Sequence, residues 1–162
     1  MPKLAAKNKL FIGCEQAHTV LYLHSSLPNL PENFEQLDSA ILTQQLLLNN
    51  NNNWRKILTI YAKLTAPDDN WREYLQQGLL AEQQINFGDK IVSKAKQHII
   101  AGKNNWQRFD HIVQPKDVIS HKKLQFIAAN ILLCPYPDYR QFPNILVAEY
   151  RHWQDEAKRE YF

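Results

Sequence analysis

Val118-Ile119-Ser120-His121-Lys122-Lys123-Leu124-Gln125-Phe126-Ile127-Ala128-Ala129-Asn130-Ile131-Leu132-Leu133 is the most apolar stretch of the chain, and its reading decides the fold class. On a period of 3.6 residues Leu124, Ile127, Ala128, Ile131 and Leu132 share one face, the spacing of a helix that buries one side. The expectation is a central core helix over Val118 to Leu133.

Upstream, an Asn precedes a large aromatic five times, at Asn33-Phe34, Asn53-Trp54, Asn70-Trp71, Asn86-Phe87 and Asn105-Trp106. Asn is a strong N-cap because its side-chain oxygen accepts from an unpaired amide of the first turn. After Trp54 the apolar positions Ile57, Leu58, Tyr61 and Ala62 follow helical spacing, as do Tyr74, Leu75 and Leu79 after Trp71. The spacing of the aromatics approaches the period of helix-pair solenoids, without the residue pattern of any such repeat. Further helices are predicted over Phe34 to Leu48, Phe87 to Ile100, Trp106 to Val113 and Asn144 to about Glu160. The segment Lys9 to Ser26 reads as helix or as extended chain, with helix preferred for Cys14 to His24.

Composition points the same way. Only four glycines occur in 162 residues, fewer than sheet-rich folds with glycine turns commonly use. The fold expected from the sequence is therefore all-α: one domain over residues 1–162, an irregular helical bundle or short helical stack of seven to eight helices. Residues 1–10 are expected to be a flexible lead-in, and the N-terminal segment helical or extended.

Charge is the clearest functional signal. The net charge is only +3, but Lys90, Lys94, Lys96, Lys103, Arg108, Lys116, Lys122 and Lys123 meet only Asp110 and Asp117 between Lys90 and Lys123, a local excess of six. Basic groups beside an aromatic such as Trp106 are the chemistry that neutralises phosphates and stacks on bases, so DNA or RNA is one expected partner. A second candidate surface is the loop Cys134 to Pro143. Its Tyr136, Tyr139, Arg140 and Phe142 are of types enriched where proteins bind proteins. The leading expectation is a non-enzymatic binding protein, an adaptor or small subunit of a larger complex, using that loop; the alternative is a nucleic-acid-binding subunit using Lys90 to Lys123.

An enzyme without a linear motif ranks third. The isolated glycines Gly13, Gly78, Gly88 and Gly102 write no phosphate loop or dinucleotide fingerprint. The six histidines form no His-x-x-x-His pair and the two cysteines no Cys-x-x-Cys pair, and no catalytic residue, metal or cofactor is nominated. Cys14 and His18 would share a face only if that segment were helical. The two distant thiols, with no apolar leader and no apolar run long enough to span a bilayer, suggest a cytoplasmic protein without membrane contact.

Overall fold

A computed structural model of the chain describes residues 10–114, 116 and 122–161. These residues fold as an α/β domain, not an all-α bundle: a six-stranded sheet with six helices replaces the seven or eight helices expected. In chain order the elements are β1 (Phe11–Gly13), β2 (Thr19–Tyr22), α1 (Ser39–Asn49), α2 (Asn52–Thr65), α3 (Trp71–Gln77), α4 (Leu79–Glu82), β3 (Gln84–Asn86), β4 (Gln97–Ala101), α5 (Lys103–Trp106), β5 (Gln125–Ala128), β6 (Ile131–Cys134) and α6 (Asn144–Tyr161).

The strand order is β1-β3-β2-β4-β6-β5. β3, β2, β4 and β6 run parallel, and the edge strands β1 and β5 are antiparallel to their neighbours. From β2 the chain returns through α1 to α4 to β3 on one side, then crosses to β4 on the other. β2 is thus the strand at which the winding reverses.

The parallel strands explain why the helical reading failed. Leu21, Ile85, Ile99 and Leu132 face α1 to α4 and α6. Val20, Tyr22, Ile100 and Leu133 face the opposite layer, made of Ile91, Val92, Ala95, Trp106, Phe109 and Val113. A strand buried on both faces loses its alternation and reads as a continuous apolar run. The expected central helix over Val118 to Leu133 is instead the hairpin β5–β6, with Ala129 and Asn130 in its turn; residues 117–121 lie outside the described residues, as do residues 1–9. The expected helix over Phe87 to Ile100 is an irregular crossover followed by β4, and residues 11–13 and 19–22 are strands.

The helical layer matches expectation better. α2 buries Trp54, Ile57, Leu58, Tyr61 and Ala62. Its C-terminal carbonyls are satisfied by Arg151, which donates to Lys63 O (2.9 Å), Leu64 O (3.3 Å) and Ala66 O (2.9 Å). Asn70 caps α3 by accepting from Glu73 N. The other Asn–aromatic pairs do different work: α2 is capped by Asn51, Asn86 ends β3, and Asn105 lies inside α5. The last helix buries Val147 and Tyr150 and stacks Trp153 on Phe126 of β5 at 4.3 Å between ring centroids. No helix among the described residues is long and apolar enough to cross a membrane.

Candidate functional site

Parallel strands deliver the chain to one edge of the sheet, and in open α/β sheets ligands bind outside the carboxyl ends of the strands where the winding reverses. In this chain His24 lies two residues beyond β2, Gly102 follows β4 and Pro135 follows β6, and a crevice of about 590 Å³ opens over those three ends. It is lined by His24, the turn from Ala101 to Trp106, Lys122, Lys123, Pro135, Tyr136 and Gln141.

The floor is rigid because its polar groups are consumed by the strand ends. Gly102 has φ +90°, a conformation that side chains resist, and a Cβ built there meets nothing within 4 Å. The glycine thus presents bare backbone to the open space. Its amide donates to Cys134 O at 2.9 Å, tying β4 to β6. The Trp106 indole donates to Ile100 O and Cys134 O at 3.0 and 3.1 Å. Buried Asn105 donates to Tyr22 O at 3.0 Å and accepts from Arg108, which also donates to Phe87 O at 3.1 Å. One asparagine and one arginine therefore join the ends of β2 and β3 to the turn after β4.

The rim carries the charge. Lys103, Lys122 and Lys123 are exposed and line the crevice with His24, and no acidic side chain among the described residues lines it. Lys103 follows β4 and the lysine pair precedes β5, so antiparallel pairing of β5 with β6 returns Lys122 and Lys123 to the same edge. The rest of the basic stretch is dispersed. Lys90 and Arg108 line a separate groove with Asp89 and Asp110. Lys96 lies at the opposite, amino edge, where its amide donates to His18 O at 2.9 Å, and Lys94 is two residues away. Lys116 is exposed and lines neither cavity.

The residues of the aromatic loop also separate. Phe142 is core, 2% exposed, while Tyr139 is 47% exposed with Arg140 beside it at the loop tip. Tyr136 is half-buried in the crevice wall, and burial together with the Asp138 carboxylate pushes its phenol pKa up. His24, Asn104, Asn105 and Gln141 were not nominated from the sequence. Their signal was position, since each closely follows or faces the end of a strand that had been read as helix.

The layer of the core on the Trp106 side of the sheet holds a buried polar pair. The Tyr22 hydroxyl accepts from Val92 N and is hydrogen-bonded to His98 Nδ1 at 2.9 Å. Burial raises the Tyr22 pKa to about 12 and lowers that of His98. Cys134 is buried and its thiol pKa is pushed up by desolvation, which removes it as a nucleophile. Cys14 and His18 lie on the connection between β1 and β2 and not on a common helix face, and His18 contacts Thr19 Oγ1 at 3.0 Å. No group of three or more potential metal ligands occurs among the described residues.

No curated protein and no solved structure matches the chain. Residues 10–155 match the model of the family described as "Family of unknown function (DUF6942)", and the chain belongs to that family.

Proposed function

We propose that this is a nucleic-acid-binding domain that holds a single strand over the carboxyl edge of its sheet. The observation that carries the reading is the convergence of Lys103, Lys122 and Lys123 from two segments on one crevice that lacks an acidic wall among the described residues. Charge of one sign around a concavity concentrates anionic ligands, and lysines contact phosphates as mobile point charges. Tyr136 supplies a ring at the wall, and Asn104 and Gln141 supply amides. Cations around a concavity with a ring in its wall suit a strand whose bases are free to stack, whereas duplex readers insert a projecting helix or ribbon into a groove.

The test is fluorescence anisotropy with a labelled single strand of about twelve nucleotides. Affinity should fall steeply between roughly 50 and 200 mM salt, and Lys122→Glu with Lys123→Glu should abolish binding while helicity is unchanged. Salt-insensitive binding, or none at low salt, rejects the proposal. The protein-partner expectation keeps Tyr139 and Arg140 as its exposed members. A complex that survives nuclease and is lost in Tyr139→Ala would restore it.

A further inference from the structure

The loop from Pro135 to Pro143 is held in shape by its own hydrogen bonds. Asp138 N donates to Tyr136 O at 2.8 Å, Asp138 Oδ1 accepts from Arg140 N at 2.9 Å, and Phe142 N donates to Asp138 O at 2.7 Å. Phe142 anchors the turn in the core, and three prolines, Pro135, Pro137 and Pro143, limit the backbone on either side. What this scaffold presents is Tyr139, 47% exposed, with Arg140 next to it and Lys56 Nζ from α2 at 5.8 Å from the ring centroid. Tyr136 and Gln141, on either side of the tip, line the crevice.

A tyrosine held out from an anchored turn, with Lys56 over one face of its ring and Arg140 next to it in the chain, has the composition of a stacking platform for a base flanked by phosphates. The one acid of the turn, Asp138, accepts from the Arg140 amide through Oδ1. We infer that Tyr139, Arg140 and Lys56 form a second contact station for the strand leaving the crevice, so that the footprint is longer than the crevice itself. This rests on the nucleic-acid reading above. Tyr139 stacks one base, and Arg140 and Lys56 neutralise the phosphates beside it. The turn is preorganised, so little order is lost when the strand docks.

The experiment compares a single strand of about ten nucleotides with one of about three, the short one measured by competition. Tyr139→Ala should weaken the long strand by roughly tenfold and the short one by less than about twofold. Tyr139→Phe, which keeps the ring, should bind like wild type. Arg140→Ala should lower the salt slope by about 0.7 for the long strand only. Equal weakening of both lengths would place Tyr139 inside the crevice and overturn the separate station. If Tyr139→Ala leaves the long strand unaffected while the Lys122→Glu, Lys123→Glu pair abolishes its binding, the station is refuted and the crevice reading stands. If wild type binds neither strand, both fall.

Discussion

The two ends of the sheet are built from similar residues and put them to opposite uses. At the amino end, polar side chains turn inward. Thr19 N donates to Gln83 Oε1 and Gln83 Nε2 donates to Tyr74 OH. The Tyr61 hydroxyl donates to Thr19 O and Gln84 O, both at 2.9 Å, and Tyr150 OH donates to Gln97 Oε1. At the carboxyl end, backbone groups are satisfied by Asn105, Trp106 and Arg108, and Lys103, Lys122, Lys123 and His24 are left facing a crevice. A closed polar network gains stability because each buried group has a partner. A one-signed open rim gains no stability, and its charges repel until an anion arrives. The closed end thus serves the fold, and the open end is where the proposed binding belongs.

The largest expected effect comes from the crevice floor at the carboxyl end. Trp106→Ala removes a 3%-exposed indole and both of its hydrogen bonds. It should cost about 3–5 kcal/mol in chemical denaturation; a loss below about 1 kcal/mol would mean that the crevice floor is not built on the core. Tyr61→Phe, at the closed end, strips a shared donor from two buried carbonyls. It should cost about 1–3 kcal/mol while oligonucleotide affinity stays within about twofold, and a large affinity loss would erase the division between the ends.

The His98 pair predicts a pH dependence whose sign follows from its burial. The native pKa lies below the 6.5 of the unfolded chain. As pH falls below 6.5 the unfolded state takes up a proton that the folded state resists, so stability declines until the native pKa is passed. Above 6.5 both states are neutral and His98 adds no slope. Melting temperatures at pH 7.5 and 5.5 should therefore differ more in wild type than in His98→Gln; an equal difference would remove His98 as the cause. The smallest effect belongs to Lys94→Ala and Lys96→Ala. They lie within the same basic run but at the amino end, and should change affinity by less than about twofold.

The helical layer was legible and the sheet, beyond the extended alternative kept for the N-terminal segment that holds β1 and β2, was not, for one physical reason. Trp54, Ile57, Leu58 and Tyr61 recur at helical spacing because α2 has one buried face. Thr19 to Tyr22 and Ile131 to Cys134 have two, so their patterns carry no period. In the hairpin, Leu124, Ile127, Ala128, Ile131 and Leu132 matched a helix although Ala128 pairs directly with Ile131 across the turn. Scarce glycine misled in the same direction: the sheet needs φ > 0 at only two described residues, Gly13 and Gly102. Of the site, Lys103, Lys122, Lys123 and Tyr136 were visible as charge and aromatic content. Their meeting was not, because it depends on β4 and β6 being parallel neighbours. Lys94 and Lys96, equal members of the run by sequence, lie across the sheet from them.

On the proposed reading the carboxyl-end lysines, rather than the basic run as a whole, hold phosphates. The direct measurement is the salt dependence of single-strand binding for wild type and for the triple variant Lys103→Ala, Lys122→Ala, Lys123→Ala. With each phosphate contact contributing about 0.7 to the slope of log affinity against log salt, the triple variant should lose about 2 units of slope. An unchanged slope, or an equal loss from Lys94→Ala with Lys96→Ala, would contradict the assignment of binding to the carboxyl end.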